Sequence, residues 1–368
     1  MFLGSSQIEF LRLCAMARYM SCDSAGKYDL LSCKKRVIKE CLDVGLVREL
    51  EGSCRCYRLT RSGRDLLYDS GYSFYEDVRP HKQGTIFDRR IFHGDICLMM
   101  HCAGIDIFAE SLQEMDRADN IYLPSLIIRA KTKSKVVAGT RFYGILRVKD
   151  TAYVVYYADE NNDGVFPGYE EQTFINIISG LKTVRHKKIL LVNETLEGLM
   201  SAVFTNEQKE LKSGLISYSE IMERWSYDVH VLPLNMDGVT GLRVIGNENI
   251  QERIATRFGE KRPNMKFFDA VADGYGYIIG LDMNISRVKM ALAYAMNCNL
   301  TPHIIGLPYQ CDIYEALAKK INYPNEIEFS ALNKIKFREQ FPELKTIEKK
   351  PVPVTLKNGE YVELWEKE

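Results

Sequence analysis

The chain has 368 residues, of which 27% are charged and 46% hydrophobic, and this composition favours a globular protein of two or three domains. Lysine plus arginine equals aspartate plus glutamate at 49 each, so the chain is not a polycation and any nucleic-acid surface must be local. The N-terminus lacks the basic start and cleavage site of a signal peptide, and no apolar run approaches the roughly 18–20 residues that span a bilayer. We therefore expect a cytoplasmic protein without a membrane partner.

The first 72 residues predict helices followed by a strand pair. Residues 5–21 start with a serine suited to an N-cap and continue with apolar residues at helical spacing. Ser32 is the expected N-cap of a basic helix, and Gly45 is expected to end it. The runs "LVREL" and "CYRLT" predict two strands around the turn "EGSC", and "TRSGRDLL" opens another helix.

This order resembles a winged helix-turn-helix domain, in particular through its basic-basic-x-V-I-x-x-C-L-x-x-G-L-V pattern and the Y-R-L-T-x-x-G that follows. The resemblance implies double-stranded DNA as the partner. Residues 27–64 carry ten lysines and arginines against five acids, which gives a local positive excess on a neutral chain. The alternative is a solvated helix face in a domain used for protein contacts. The DNA-binding residues that the resemblance implies are Lys34, Lys35, Arg36, Lys39, Arg55, Arg58 and Arg61.

Ten cysteines raise the question of a metal site, because six of them lie in the first 56 residues. No pair has the C-x2-C spacing of the usual zinc sites, and Cys54 and Cys56 alone offer no set of four ligands. In the helix predicted after a polar connector, His93, Cys97 and His101 share one stripe. These three residues span about 12 Å of helix, too far for one ion, so a packed helix face is expected. We predict free thiols and no bound metal.

The middle of the chain alternates strands and helices, which indicates α/β architecture. The segments "YLPSLIIRAK", "TRFYGILRVKD" and "TAYVVYYADE" are rich in β-forming residues, and "GYEEQTFINIISGLK" is helical in pattern. Asp159 and Glu160 open an acidic loop that we interpret as a solvated turn rather than a cation site. The glycine-rich motifs of nucleotide-binding proteins are absent from the sequence, as is the G-x-S-x-G of hydrolases.

Residues 263–322 predict the order strand, strand, helix, strand and helix. Asp273-Gly274 is the expected hairpin turn between the two strands. Ser286 is the expected N-cap of the first helix, and Asp312 that of the second. This is the central order of the restriction-endonuclease-like, PD-(D/E)XK fold. In that fold two acids hold Mg²⁺ and a lysine orients the attacking water. The matching acids are Asp269 and Asp282, but Asn284 occupies the lysine position, with Lys289 on the next helix as the substitute. In the competing interpretation both acids have a structural role. The asparagine at the lysine position argues against cleavage of DNA.

The expected fold class is therefore α/β (α+β), an N-terminal winged helix-turn-helix followed by an α/β region with a restriction-endonuclease-like C-terminal sheet. The tail also contains Asn358-Gly359, a hairpin signal, followed by Trp365. The predicted boundaries are 1–72 for the winged helix, 73–84 for a linker, 85–235 for a helix plus α/β middle domain, 236–344 for the nuclease-like domain and 345–368 for a hairpin tail.

Taken in order, these segments resemble the replication-relaxation family of plasmids and integrative conjugative elements. The segment "GTRFYGILRVKDTAYVVYYADE" also resembles one found in proteins of Firmicutes conjugative elements. The resemblance implies a DNA-binding accessory or initiator protein, non-catalytic and without a cofactor, whose partners are double-stranded DNA and other replication or mobilisation proteins; a homodimer is left open. Two alternatives remain: a winged-helix regulator with a C-terminal sensor domain, and a nuclease or relaxase using Mg²⁺.

Overall fold

A computed structural model describes residues 3–72, 74, 83–131, 141–158, 165–167, 169–204, 215–218, 220–221, 227–247, 249–344, 354–355 and 361–362. The chain forms two compact units. The N-terminal unit comprises Met1–Ser111 together with Thr346–Glu368, and the second unit comprises Leu112–Lys345. The domain boundaries predicted from the sequence remain predictions.

Within the described residues, the N-terminal unit combines α-helices with a small antiparallel sheet. The sheet has the order β1-β3-β2, so the short first strand pairs with the last one. A 3-10 turn at Leu31–Cys33 precedes the third helix. The elements in chain order are α1 (Ser5–Ala17), β1 (Met20–Ser21), α2 (Cys22–Lys27), α3 (Lys35–Asp43), β2 (Val47–Leu50), β3 (Cys56–Leu59), α4 (Arg61–Asp69) and α5 (Thr85–Cys102).

The strand pair β2 and β3 confirms the predicted strands, but two predicted N-caps are wrong. Gly4 precedes α1, so the serines of "SSQ" lie inside the helix. Ser32 is buried in the 3-10 turn, and Lys34 is the N-cap of α3. Gly45 follows this helix with a φ of 73°, and its N–H is bonded to the carbonyl of Leu42, as expected for a helix end.

Gly63, the last residue of the Y-R-L-T-x-x-G motif, allows close approach of two backbone segments. Thr60 caps α4, because its Oγ1 accepts the Gly63 N–H at 3.2 Å and donates to the Gly45 carbonyl at 2.7 Å. A Cβ at position 63 would lie 2.1 Å from the carbonyl oxygen of Leu46. The motif therefore fixes the start of α4 against the entry to the strand pair.

The second unit contains a five-stranded mixed sheet of order β10-β8-β6-β5-β4. Strands β6, β8 and β10 are parallel, and β4 and β5 are antiparallel additions. The interior is formed by buried apolar strands, as expected for a sheet covered on both faces. The elements of this part are α6 (Leu112–Met115), β4 (Asn120–Pro124), α7 (Ser125–Lys131), β5 (Gly144–Val148), β6 (Thr151–Tyr157), β7 (Val165–Pro167), α8 (Glu170–Ile178), β8 (His186–Asn193), α9 (Leu196–Phe204), β9 (Leu215–Ser217), β10 (Asp228–Pro233) and α10 (Met236–Gly246).

The prediction of β structure throughout "YLPSLIIRAK" is wrong for its second half, because Ser125–Lys131 is helical. A short apolar run does not by itself distinguish a strand from a buried helix. The expected strands after it, and the helix at Glu170–Ile178, are confirmed. Asp159 and Glu160 lie outside the described residues.

A second sheet, of order β11-β12-β13-β14, completes this unit. The turn between the first two strands is the predicted one, and both Asp273 and Gly274 have positive φ, at 50° and 84°. The following strands are parallel to β12. The elements are α11 (Asn249–Ala255), β11 (Ala270–Ala272), β12 (Tyr275–Ile279), α12 (Ile285–Cys298), β13 (Thr301–Gly306), α13 (Pro308–Lys320), β14 (Glu328–Ala331) and α14 (Lys334–Gln340).

The two helix caps predicted here are also wrong. Asn284 rather than Ser286 caps α12, and its Oδ1 accepts the Arg287 N–H at 2.9 Å. The next helix begins at Pro308, four residues before Asp312, because proline is well suited to the first helical turn. The α/β class is confirmed. In the tail, β15 (Val354–Thr355) pairs with β16 (Tyr361–Val362), while Asn358-Gly359 and Trp365 lie outside the described residues. None of the described helices is both long enough and apolar enough to span a bilayer.

Candidate nucleic-acid interface and buried carboxylate cluster

Helix α3 separates a buried apolar side from a basic exposed side. Ile38 and Cys41 are buried, whereas Lys35, Arg36 and Lys39 are exposed. This separation follows from the helical period, which places residues i, i+1 and i+4 on neighbouring parts of one face. The exposed side therefore presents three cations in little more than one turn.

Four of the predicted DNA contacts already have acidic partners on the surface. The pairs are Lys34 with Asp29, Arg36 with Glu40 at 2.8 Å, Arg55 with Glu49 at 3.1 Å and Arg61 with Asp65 at 3.8 Å. The Arg36 and Arg61 side chains are nevertheless each 90% exposed. Such pairs contribute about 0–1 kcal/mol and are screened by salt, so the cations remain able to exchange an acid for a phosphate.

Lys35 and Lys39 differ from these four, because neither forms an ion pair with any residue that the structure describes. Arg48 on β2 is a third exposed cation of this kind, and it lies directly opposite Arg58 across the ladder. The sequence pattern places Arg48 within the local positive charge but does not single it out as a contact. The feature that could have identified Arg48 is its position inside strand β2, where the end residues Val47 and Leu50 are buried and Arg48 is exposed.

Arg58 is not a free surface cation. It is half-buried, and its guanidinium carbon lies 5.1 Å from the centroid of the Tyr19 ring. Tyr19 is fully buried in a cluster with Leu50 and Phe87. A guanidinium over an aromatic ring stabilises packing, so the position of Arg58 supports a structural role.

The cysteines near the hairpin are packed as apolar side chains. Cys56 is fully buried and Cys54 packs against the same cluster. Burial raises the pKa of Cys54 to about 11 and that of Cys56 to about 12, so neither supplies a thiolate at neutral pH. Among the described residues no group of histidines, cysteines and acids is arranged to hold a metal ion.

The predicted packing of His93, Cys97 and His101 on α5 is borne out by their contacts. All three are buried, His93 Nε2 lies 3.1 Å from the Met16 carbonyl, and His101 Nε2 lies 2.8 Å from Glu9 Oε1. Burial lowers the pKa of His93 to about 3, which keeps this ring neutral. The stripe therefore joins α5 to α1.

In the second unit, Asp269 and Asp282 are brought together as the nuclease comparison requires, but a guanidinium lies between them. Arg287 Nη1 donates to Asp269 Oδ2 at 2.8 Å, and Arg287 Nη2 donates to Asp282 Oδ1 at 3.2 Å. Asp269 Oδ2 also accepts the Ile279 N–H at 2.7 Å. Sequence reasoning missed Arg287, because nothing in the local pattern links it to an acid eighteen residues earlier.

The electrostatics of this cluster favour an ionised Asp282 beside the cationic guanidinium of Arg287. Burial acts to raise the pKa of Asp282, but the charge of Arg287 and the hydrogen bond from the Asn284 N–H outweigh it and lower that pKa below its usual value. Burial acts to lower the pKa of Arg287, and the two acids raise it overall. Arg287 thus offsets part of the negative charge of this cluster.

Mg²⁺ does not fit this site. The ion needs oxygen ligands at about 2.0–2.1 Å in octahedral geometry, and here the facing carboxylate oxygens already accept from a guanidinium. Asn284, at the lysine position, is the helix cap and donates from Nδ2 to Asp228 Oδ2 at 3.0 Å. Lys289 has no described contact with either aspartate. The hydrogen bonds of Arg287 and Asn284 hold both acids and the start of α12 in place.

His230 lies beside the cluster and is almost completely buried. Its Nδ1 lies 2.8 Å from the Asp282 carbonyl, and its ring packs edge-on to Tyr153 at 5.3 Å. Burial lowers the pKa of His230 to about 4, against the opposing effect of Asp282. The ring is therefore neutral at pH 7.

No model of a known protein family, no curated protein and no solved structure matches the chain. The functional interpretation of the candidate sites therefore depends on their geometry alone.

Proposed function

We propose that the N-terminal unit binds double-stranded DNA as a winged helix, and that the protein is a non-catalytic accessory or initiator protein in the replication or mobilisation of a mobile genetic element. The observation that carries the DNA-binding part is the exposed basic side of α3 within the element order helix, strand, helix, helix, strand, strand. The sheet order β1-β3-β2 is the one expected for that domain. The mobile-element part depends on the sequence resemblance.

In this proposal α3 enters the major groove, and the strand pair lies along the backbone. Lys35 and Lys39 need to break no ion pair within the described residues before they meet phosphates or base edges. Arg36 and Arg55 leave weak surface pairs with Glu40 and Glu49. The residues assigned to the interface are therefore Lys35, Arg36, Lys39, Arg48 and Arg55, with Lys34 and Arg61 at its edges.

The absence of catalysis in the proposal is supported by Arg287. A nuclease of the PD-(D/E)XK type gathers negative charge to attract a divalent cation. Here the same two acids share the guanidinium of Arg287, which offsets part of their negative charge through hydrogen bonds of 2.8 and 3.2 Å. DNA binding without cleavage is the function that this geometry favours.

The test is a fluorescence-anisotropy titration of the full chain with a labelled duplex of mixed sequence. Lys35→Ala combined with Lys39→Ala should weaken binding by roughly tenfold per lysine at 0.1 M salt, since each lysine that meets a phosphate contributes its own counterion release. The matched control combines Lys261→Ala with Lys336→Ala, which removes two exposed lysines from the second unit. Equal affinities for the two double variants would contradict the proposed interface.

A further inference from the structure

A small cavity of about 90 Å³ lies within the N-terminal unit, apart from the basic side of α3. One part of its wall is apolar and comes from Ala15, Met16, Leu67 and Phe74. The polar part includes Arg12 on α1. The cavity is large enough for a ligand of a few heavy atoms whose remaining atoms extend into solvent.

Arg12 is held between two aromatic rings. Its guanidinium carbon lies 4.4 Å from the centroid of Tyr72 and 3.8 Å from that of Phe108. The two ring contacts restrain the guanidinium, and its N–H groups are the ones able to bind a ligand. Arg12 forms neither an ion pair nor a hydrogen bond with any residue in the described part of the chain.

The acids nearest to Arg12 are engaged elsewhere. Glu9 Oε1 is bonded to His101 Nε2 at 2.8 Å, and Asp106 Oδ1 accepts the Phe108 N–H at 2.9 Å. Burial lowers the pKa of Arg12, against the opposing charges of Tyr72, Asp106 and Glu9. The Arg12 guanidinium is thus partly desolvated, restrained by two rings and able to donate from its N–H groups. These properties favour binding of a planar anion.

We propose that this cavity binds a small monocarboxylate, whose carboxylate accepts two parallel N–H bonds from Arg12 and whose short aliphatic chain contacts Met16, Leu67 and Phe74. A planar carboxylate matches the guanidinium edge. Glu110 also lines the cavity, and its negative charge disfavours a doubly charged anion such as phosphate relative to a monoanion. This site goes beyond DNA binding and does not depend on it.

The experiment uses the full chain with ¹³C-labelled methionine methyl groups and follows the Met16 signal, assigned by Met16→Leu. Sodium butyrate is the probe, butyramide is its neutral counterpart, and inorganic phosphate is the other anion. Butyrate should shift the Met16 signal saturably with a Kd on the order of 1 mM, the range open to a ligand of so few atoms. Butyramide and phosphate should bind at least tenfold more weakly.

Two variants separate the proposed contact from a general effect on the fold. Arg12→Gln should abolish saturation, and Arg12→Lys, which keeps the charge but lacks the planar fork, serves if the glutamine variant does not fold. Glu110→Gln removes the like charge and should tighten butyrate binding by a few-fold. Equal binding of butyrate and butyramide, no saturation in the folded wild-type chain, or unchanged butyrate binding in both Arg12 variants would overturn the proposal.

Discussion

The two units place their charged residues in opposite ways. In the N-terminal unit the cations of α3, together with Arg48 and Arg55, are on the surface, where Arg36 and Glu40 form a pair that is largely solvated. In the second unit Arg287 is 22% exposed, and its two carboxylate partners are 28% and 12% exposed. The first arrangement contributes little to stability, and the second is costly to break.

This difference separates a charge available to a partner from one used by the fold. A surface guanidinium loses little when it exchanges an acid for a phosphate. A largely buried guanidinium shared by two acids cannot leave without exposing uncompensated charge in the interior. Binding therefore belongs to the N-terminal unit in our proposal, and the carboxylate cluster has a structural role.

The largest expected effect comes from removing the shared cation. Arg287→Met should lower the free energy of unfolding of the second unit by about 3–5 kcal/mol, because Asp269 and Asp282 then lack their common partner. Urea denaturation followed by circular dichroism measures this. Arg36→Met is the matched control on the surface and should leave the free energy of unfolding nearly unchanged. Similar decreases in the two variants would break the comparison.

A smaller effect is expected at Gly63, where the wing motif packs. Gly63→Ala should cost about 1–3 kcal/mol, because its Cβ would overlap the Leu46 carbonyl and the backbone would have to move. Gly26→Ala is the control, since a Cβ there meets nothing within 4 Å. Thermal unfolding of both variants gives the comparison, and a Gly63→Ala variant as stable as wild type would show that the close approach is unnecessary.

The smallest of these stability effects concerns pH. The folded-state pKa of His230, about 4, lies below its unfolded value, so its contribution is complete above about pH 6.5 and is lost as the pH falls toward 4. Between pH 7 and 5.5 wild type should lose about 1 kcal/mol more than His230→Asn, which does not titrate. The exposed His186, changed to Asn, is the control and should follow wild type. Parallel curves for wild type and His230→Asn would contradict neutral burial of this ring.

Local sequence patterns correctly predicted those strands and turns whose formation depends on neighbouring residues. The strands β2 and β3, the alternating strands of the second unit and the Asp273-Gly274 turn follow from hydrophobic spacing and backbone preference. The expected helix caps failed at four places, because three of these helices begin after Gly4, Lys34 or Asn284 and the fourth begins at Pro308. The hydrogen bond of Arg287 to Asp269 and the ring contacts of Arg12 with Tyr72 and Phe108 join residues of different segments, so no local pattern shows them.

The most direct test of the account is the salt dependence of duplex binding. A plot of log affinity against log salt should have a negative slope for wild type, and Lys35→Ala with Lys39→Ala should reduce its magnitude by about 1.8, or about 0.9 for each phosphate that a lysine no longer neutralises. The Lys261→Ala, Lys336→Ala chain should keep the wild-type slope. A slope unchanged by removal of the two α3 lysines would contradict the assignment of DNA binding to the N-terminal unit.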